Sequence, residues 1–507
     1  MLAVLSILIA GLGAYGQVVS FAFVRWDDPS LITENPLIQN FSPRIFTTFD
    51  PELYIPLTLL TFQLEHLLFG FHPFVFHLDN LLLHLANSLL VFALLQRILG
   101  QKVWAWAGAL LFAVHPLQSE AVSWVSARKD LLMSFWFLLS VLSWLRFEGQ
   151  GKKSLFWLSV GLFLLSILSK PTAIVLPPLI TLWGLLHGER LSPLLKRTWP
   201  HWVLAIAFAI VAVFGKQEAA ASLPAWNIFL LALQNTATTL QHVFLPLHLS
   251  AIYPGPADYF SVRALVGGSA IVLLLWTGWR LRRSIPSALF GAGWFLLTLA
   301  PAFLAYRKSG DITLTADRYA YLPLVGLLLF LASIGSHYLP RGTRERLILA
   351  VTLLIALPSI LLARQQSQVW RDTQSLFANV LRHFPTSHVA LNNIGFLHLQ
   401  KNDLPSAEAY FQRALAEKPQ YPDAEVNLGV VYAKQGKLDE AEALFRQALR
   451  QEPTNAQATF NLAGIAFTKG NYPEAIRLYE ETLRLRPGYR PAERQLEEAG
   501  ERLAESE

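Results

Sequence analysis

Residues 23–29 read FVRWDDP and place two adjacent carboxylates, Asp27 and Asp28, directly after the first long apolar run of the chain. Residues 2–24 carry no acidic or basic side chain and are long enough to cross a bilayer as one helix. The pair is therefore expected at a membrane surface. Adjacent carboxylates repel each other, so they suit metal binding or proton abstraction. Capping of the next helix at the interface is the alternative that the pair alone leaves equally open.

The composition of the 507-residue chain is that of a polytopic membrane protein. Hydrophobic residues make up 53% and charged residues 15% of the sequence, and the mean hydropathy is +0.39, which is too apolar for a soluble chain of this length. Residues 1–370 hold 25 Lys and Arg against 16 Asp and Glu, whereas residues 371–507 hold 16 against 19. We therefore predict a membrane domain at 1–365 and a soluble domain at 366–507.

Three features of the sequence exclude or disfavour some classes of function. The sequence has no cysteine, which excludes disulfides, thiolate metal sites and a cysteine nucleophile, so a metal would need Asp, Glu or His ligands. The excess basic residues lie at membrane boundaries, which argues against a nucleic acid partner. Residues 1–24 lack a basic leader and a cleavage site, so we expect a retained anchor in contact with membrane lipids.

Apolar stretches and basic clusters together predict the topology. If every basic cluster faces the cytoplasm, an even number of crossings separates each from the next. Residues 226–248, which polar side chains interrupt, then lie along the outer surface or re-enter. This leaves about eleven spans, a cytoplasmic N-terminus, and residues 364–507 in the periplasm of a bacterial inner membrane. The clusters centre on Arg97, Arg146, Arg190, Arg280 and Arg341, and the apolar stretches are 2–24, 74–96, 103–115, 130–147, 154–169, 171–187, 199–215, 226–248, 262–279, 286–305, 318–338 and 347–363.

The second apolar stretch carries a polar stripe. His77, Asn80, His84 and Asn87 follow one another at spacings of three, four and three residues, which places them on one face of a helix. Such a stripe either joins helices by hydrogen bonds or lines a polar cavity. The first role suits His84 and Asn87, which lie deeper in the membrane, and suits His77 less, because it lies near the outer surface.

Two later outer loops, at 115–130 and 306–323, concentrate charge. Arginine suits a phosphate because its planar fork binds two oxygens at once. Alternatively, the cations at 128 and 129 only anchor a helix among lipid headgroups, with the acid at 120 as their surface partner. The candidate site residues in these loops are His115, Glu120, Arg128, Lys129, Asp130 and Arg318.

A 34-residue period marks the C-terminal part. Prolines recur at Pro385, Pro419, Pro453 and Pro487, and further positions share the period. A 34-residue unit of two helices is the tetratricopeptide signature. We predict half a repeat, then three full repeats at about 386–419, 420–453 and 454–487, and then a capping helix, because an end repeat otherwise exposes an apolar face.

Three asparagines recur with the same period, at Asn393, Asn427 and Asn461. Their first-helix position is similar to the asparagine ladder of peptide-binding repeats, in which side-chain amides hold an extended peptide backbone. They are the candidate contacts for an acceptor peptide. Local hydrogen bonds within each repeat are the equally open alternative.

Five segments, followed by the repeats, resemble the TMTC family of transmembrane and tetratricopeptide-repeat proteins and their bacterial relatives: WDDPSLITENP, YIPLT, HLDNLLLHLANSLLVF, HPLQSEAVSWVSARKDLL and ADRYAYLP. The resemblance implies an all-α membrane domain of the GT-C glycosyltransferase fold, followed by the α-solenoid. It also implies a polyprenyl- or dolichyl-phosphate-sugar donor, mannose as the usual sugar, and Ser or Thr hydroxyls of proteins as acceptors. Ile55 departs from the YRPLT pattern of many relatives, which leaves donor-phosphate contacts from that loop open.

By that resemblance Asp27 and Asp28 form the outer-loop acidic motif of the family, and the candidates of the later loops line the same cavity. We expect one of the two aspartates to act as the base for the incoming hydroxyl, in a direct inverting displacement without a covalent intermediate. The donor phosphate would then be held by Arg128, Lys129 and Arg318.

Further substrate contacts are expected from His77, Glu120 and Asp130. A divalent cation, Mg²⁺ or Mn²⁺, is an open option for the cofactor. Its ligands would be Asp27, Asp28, His115 and Glu120.

Two other functions stay open. A glycan ligase or polymerase would act on a saccharide or lipid acceptor, against which repeats with a peptide-like groove argue only weakly. A non-enzymatic scaffold would use the membrane domain as an anchor and the repeats to recruit partners, but it leaves the paired aspartates without a role.

Overall fold

Helices form nearly all of the structure, a computed structural model that describes residues 1–49, 53–215, 223–308, 311–339 and 344–506. Within these residues, one short antiparallel hairpin pairs β1 (Arg307–Lys308) with β2 (Asp311–Ile312). The predicted all-α class is confirmed. Arg341, the centre of the last predicted basic cluster, lies outside the described residues.

The chain divides into two compact units, Met1–Leu376 and Phe377–Glu507. Composition alone places this boundary at 365/366. The structure places it later because the segment after the last long apolar helix packs on the first unit. The Ala22 amide donates to the Arg371 carbonyl at 3.0 Å, and the Arg25 amide donates to Thr373 Oγ1 at 2.9 Å.

Helices of the first unit begin and end at local signals in the sequence. A proline in the first turn opens several of them, and glycines with positive φ, Gly100 and Gly151, end two of the longest. In chain order they are α1 (Leu2–Tyr15), α2 (Pro36–Gln39), α3 (Pro56–Phe69), α4 (Pro73–Leu99), α5 (Lys102–Val114), α6 (Ser119–Ser123), α7 (Arg128–Gln150), α8 (Lys153–Ser169), α9 (Leu176–Leu186), α10 (Leu191–Phe214), α11 (Ala225–Phe244), α12 (Val262–Leu281), α13 (Pro286–Leu299), α14 (Tyr321–Tyr338) and α15 (Arg344–Ser367).

Seven helical segments of the described chain are long and apolar enough to cross a membrane, against about eleven predicted. Three of the predicted spans correspond to shorter apolar helices instead. The 13 residues of α5 cover about 20 Å at a rise of about 1.5 Å per residue, less than the roughly 30 Å of a hydrocarbon core. The seven candidates are Leu2–Ser20, Pro73–Leu99, Val125–Gln150, Val262–Leu281, Pro286–Leu304, Asp317–Tyr338 and Glu345–Trp370.

The stretch 226–248, predicted to lie along the surface or to re-enter, forms the continuous helix α11 up to Phe244. Gln234 and Asn235 are buried because they bind the loops of the same unit. Gln234 Nε2 donates to the carbonyls of residues 258 and 259 at 3.1 and 2.7 Å, and Asn235 Nδ2 donates to the Leu314 carbonyl at 2.8 Å.

One apolar core joins α1, α4, α5, α7 and α14, among others. Glycines let two neighbouring helices approach closely, since Gly291 on α13 and Gly326 on α14 have no room for a Cβ atom, as is common in membrane helix pairs. Two loops are attached to helices of this core. One connects α5 to α7, and the other is the turn Asp317–Ala320 directly before α14. Both loops carry candidate site residues.

The second unit is an array of antiparallel helix pairs with the predicted 34-residue period. Gly395 and Gly429 recur because a Cβ atom there would lie 2.8 and 2.6 Å from ring atoms of Phe411 and Phe445. The helices are α16 (Thr373–His383), which begins in the first unit, α17 (His388–Gln400), α18 (Leu404–Glu417), α19 (Pro422–Lys434), α20 (Leu438–Gln451), α21 (Ala456–Thr468), α22 (Tyr472–Leu485) and the capping helix α23 (Arg490–Ser506).

Candidate active site

Asp28 joins the first extramembrane turn to the loop before α7. Its Oδ2 accepts from the Val24 amide at 2.8 Å, and its Oδ1 accepts from the amide and the hydroxyl of Ser126 at 3.1 and 2.5 Å. The side chain is buried. Burial raises the pKa of Asp28 from its usual 3.8 to about 6, and the charge of Asp27 adds to this shift. Three donors fix this carboxylate in place, so it can orient the turn.

Asp27 is the half-buried member of the pair. Its charge interacts with the cations of Lys129 and Arg318, which come from the two later loops named by the sequence. Of the two aspartates, Asp27 is thus the one that a substrate hydroxyl can reach beside positive charge.

Arg318 is held by Glu120 across the two later loops. Glu120 Oε2 accepts from the Arg318 amide at 2.9 Å, and Oε1 forms an ion pair with the Arg318 guanidinium. The guanidinium carbon lies 5.1 Å from the ring centroid of Trp124, whose indole stacks on Trp370 with centroids 5.4 Å apart. Burial raises the pKa of Glu120, and the charge of Arg318 opposes that shift. Two hydrogen bonds to one carboxylate fix both the backbone and the side chain of the arginine.

Asp27, Glu120, Lys129 and Arg318 form a charged cluster. Lys170 is a further cation of this cluster. It follows α8 directly, its Nζ lies 2.5 Å from Asp130 Oδ1, and it sits 5.3 Å from the ring centroid of Tyr319. Burial lowers the pKa of Lys170, while Asp130 opposes that shift. Lys170 was not among the predicted site residues, although it is the one charged residue between Lys153 and Glu189.

Lys129 has a different environment from the other two cations. The neighbouring acids Asp130 and Glu120 are paired with Lys170 and Arg318, and within the described chain Lys129 forms no ion pair. Its ammonium instead lies 5.5 Å from the Trp124 ring centroid, on a side chain that is only 8% exposed. The charge of Asp27 interacts with this ammonium, but no ion pair within the described chain holds it, and burial of an ammonium is costly.

Arg128 was predicted to hold the donor phosphate, and its surroundings contradict that role. The side chain is fully buried. Its guanidinium donates to Glu65 Oε1, Asn80 Oδ1 and the Phe76 carbonyl, each at 2.6 Å. Residues 128 and 129 are adjacent at the start of α7, so their side chains point in different directions. Arg128 therefore joins α3, α4 and α7, and Lys129 faces the cluster.

The predicted metal site at Asp27, Asp28, His115 and Glu120 is also not formed. Both ring nitrogens of His115 are engaged, Nε2 with the Val243 carbonyl at 2.9 Å and Nδ1 with the Leu117 amide at 3.2 Å, and burial lowers the pKa of His115 to about 4. Both oxygens of Glu120 bind Arg318. The described residues include no group of three or more His, Cys, Asp or Glu that could hold a metal ion.

The polar stripe of α4 joins helices. His84 contacts Tyr321 OH and the Ala113 carbonyl, both at 3.0 Å, and Asn87 Nδ2 donates to the Leu131 carbonyl at 3.0 Å. His77 is buried as well, with its ring edge-on to Phe21 at 6.1 Å. This burial gives no support to the predicted substrate contact of His77.

The three repeat asparagines differ in their contacts. Asn393 Nδ2 donates to the Val389 carbonyl at 2.9 Å, and Asn427 Nδ2 donates to Asn392 Oδ1 at 3.0 Å. The amide nitrogen of Asn461 has no hydrogen-bond partner in the described chain. The first two amides therefore serve local bonds, and Asn461 Oδ1 likewise accepts from Gln457 Nε2 at 3.2 Å.

The fold and the cluster define a multi-pass membrane protein with an acid and cation site and a helical repeat unit. The family model of dolichyl-phosphate-mannose-protein mannosyltransferases matches residues 55–216, and two tetratricopeptide models match residues 398–446 and 426–490. In sequence, parts of the chain are similar to dolichyl-phosphate-mannose-protein mannosyltransferases and to TMTC protein O-mannosyl-transferases, and its C-terminal part carries tetratricopeptide repeats.

Individual relatives match parts of the chain. Human protein O-mannosyl-transferase TMTC1 is 34% identical over 151 residues, which are 27% of this chain and 17% of that protein. Protein O-mannosyl-transferase Tmtc3 of Drosophila melanogaster is 26% identical over 451 residues, 71% of this chain and 48% of the relative. The chain thus spans less than half the length of either relative. The structure of the first TPR of Spaghetti (RPAP3) bound to HSP90 peptide SRMEEVD is 20% identical, with a TM-score of 0.23 and coverage of 23% of this chain and 93% of that chain.

Proposed function

We propose that this protein transfers mannose from a polyprenyl-phosphate-linked donor to Ser or Thr hydroxyls of protein acceptors. The mannosyltransferase family match supports the sugar and the lipid phosphate. The observation that carries the proposal is the position of Lys129, a buried ammonium without an ion pair that interacts with the accessible Asp27. A base for the hydroxyl beside a cation for the departing phosphate is what such a transfer needs.

The reaction is a single displacement at the anomeric carbon of the sugar. Asp27 takes the proton of the acceptor hydroxyl while the hydroxyl oxygen forms its bond to that carbon. The bond between the anomeric carbon and the phosphate oxygen breaks, its electron pair goes to the phosphate, and the polyprenyl phosphate leaves with one more negative charge. Lys129 and Arg318 stabilise that charge, and the configuration of the sugar inverts.

The remaining charged groups position these residues. Asp28 fixes the turn that carries Asp27, Glu120 fixes Arg318, and Asp130 fixes Lys170. Each acid is held in a hydrogen bond or ion pair with a group of another loop, which keeps the site in one arrangement before substrate arrives. The steps above are written without a metal ion; of its four candidate ligands, His115, Glu120 and Asp28 already bind other groups of the protein.

The membrane orientation is part of the proposal. Eleven crossings, with the seven candidate helices among them, would put the N-terminus in the cytoplasm and the cluster and repeats on the extracytoplasmic side. A protein acceptor would then be bound by the repeat unit on the side where the lipid donor presents its sugar. Asn393, Asn427 and Asn461 are the proposed contacts for the backbone of that acceptor.

Mass spectrometry of envelope proteins tests this function in cells. A strain that lacks the protein should lose a hexose from Ser or Thr residues, and the wild-type gene should restore it while an Asp27→Asn gene should not. Loss of a glycolipid or polysaccharide with unchanged proteins would instead establish a ligase. Unchanged glycans in the presence of stable repeat-bound partners would establish a scaffold.

A further inference from the structure

His242, Tyr253 and Asp317 form a buried polar network directly behind Arg318. Asp317 Oδ1 accepts from Tyr253 OH at 2.8 Å and lies 3.3 Å from His242 Nδ1. Tyr253 OH in turn accepts from the Ser250 amide at 2.8 Å. All four residues are buried. One carboxylate thus ties α11 and the loop after it to the turn that carries Arg318.

The network and the ion pair of Arg318 hold the same turn through different residues. Asp317 is the residue before Arg318 and opens the same turn, Asp317–Ala320, whereas Glu120 holds the amide and guanidinium of Arg318 itself. The loop is also fixed on its other side, since the Leu314 amide donates to the Tyr253 carbonyl at 2.9 Å. Arg318 has little freedom to move, because Glu120 binds it directly and Asp317, the residue before it, is held by the network.

We propose that His242, Tyr253 and Asp317 are positioning residues that set the affinity of the site for the lipid phosphate of the donor. They act through Arg318 and do not touch the substrate. His242 and Tyr253 lie beyond residue 216, where the match to the mannosyltransferase family model ends. The proposal rests on the phosphate-binding role of Arg318 in the proposed function.

Binding of a short-chain polyprenyl phosphate, without a sugar, tests the proposal independently of transfer. The purified full-length protein is titrated with the lipid phosphate and with the matching polyprenyl alcohol, and the rise in thermal midpoint is measured. We expect Tyr253→Phe and His242→Leu to weaken phosphate binding about tenfold, as for one lost hydrogen bond to a charged group, with alcohol binding unchanged. His242→Asn, which keeps a donor near Nδ1, should restore most of the affinity.

Tyr338→Phe is the matched control, because Tyr338 is 63% exposed at the end of α14, and it should bind like wild type. The proposal is overturned if Tyr253→Phe binds the phosphate like wild type, if the alcohol is lost equally, or if wild type shows no preference for the phosphate. A wild-type protein that binds the phosphate with this pattern but transfers no sugar would refute the proposed function alone.

Discussion

Asp28 and Ser126 are joined by two hydrogen bonds, from the Ser126 amide and hydroxyl to one carboxylate oxygen, although 98 residues separate them in the chain. This contact fixes the acidic turn after α1 against the loop that opens α7. It also divides the aspartate pair, since Asp28 is buried and saturated with donors while Asp27 stays half-buried beside cations. The two carboxylates should therefore respond differently to the same substitution.

Replacing Asp27 with Asn should abolish sugar transfer, because the proton acceptor is lost, and should lower the thermal midpoint less than the same change at Asp28, because Asp27 is only half-buried. Replacing Asp28 with Asn should lower stability by about 1–3 kcal/mol, since an amide NH₂ would face the donors of Val24 or Ser126. Transfer assays and thermal unfolding of both variants check this. Equal loss of stability in the two variants would show that the pair is only a structural cap.

The pH dependence of stability and activity should run in opposite directions around Asp28. Because burial raises the pKa of Asp28 from 3.8 to about 6, protonation favours the folded state. This contribution, about 3 kcal/mol from the pKa difference, is present below pH 4 and lost as the pH rises through 6. Transfer should instead fall below pH 6, because a protonated carboxyl loses acceptors for Ser126.

Unfolding and transfer measured from pH 4 to 7 test this prediction, with Asp28→Asn as the control. The variant should lose the stability slope between pH 4 and 6. Retention of the full slope in Asp28→Asn would assign it to another group.

Lys129→Met and Arg128→Met are neighbouring substitutions with different expected results. Lys129→Met should weaken donor binding at least tenfold without loss of stability, because the ammonium has no ion pair to break. Arg128→Met should destabilise the protein by about 3–5 kcal/mol, since it leaves Glu65 buried without its partner. Donor titrations and thermal unfolding distinguish the two, and adding Glu65→Gln to Arg128→Met should restore part of the stability. A weakened donor affinity in Arg128→Met with normal stability would contradict the assignment.

Gly429→Ala should destabilise the repeat unit by about 1–3 kcal/mol through overpacking, because the new Cβ would lie 2.6 Å from the Phe445 ring. Gly464→Ala is the matched control on α21, where the added atom would lie 3.9 Å from Tyr479 OH. Thermal unfolding of the full-length variants measures the difference. Equal stability of the two variants would show that the repeat interior has spare room.

Periodicity predicted the repeats well, because a solenoid repeats the same local contacts every 34 residues. Hydropathy predicted the apolar stretches but not their number as spans, since α5 is too short to cross by itself. The polar residues of α11 predicted that 226–248 lies along the surface or re-enters; α11 is not among the seven candidate spans, and its Gln234 and Asn235 are buried on loop carbonyls. The sequence shows which side chains are polar, but it does not show which groups they form hydrogen bonds with.

The site was predicted only in part, because the sequence does not show which groups its charged residues contact. Charge density in loops identified Glu120, Lys129 and Arg318. The structure brings the two cations to the Trp124 ring and pairs Glu120 with Arg318. Charge density could not show that Lys129 and Arg128 have different surroundings, because the side chains of adjacent helix residues differ only in the direction in which they point. Lys170 was missed because an isolated lysine between two apolar helices resembles an interface anchor.

The most direct test is transfer of labelled mannose from polyprenyl-phosphate mannose to a Ser- and Thr-containing peptide by the purified full-length protein in lipid vesicles. The account predicts mannose on the peptide hydroxyl with inverted configuration, no transfer by Asp27→Asn, and normal transfer by Tyr338→Phe. Transfer at the wild-type rate by Asp27→Asn, or a product with retained configuration, would contradict it.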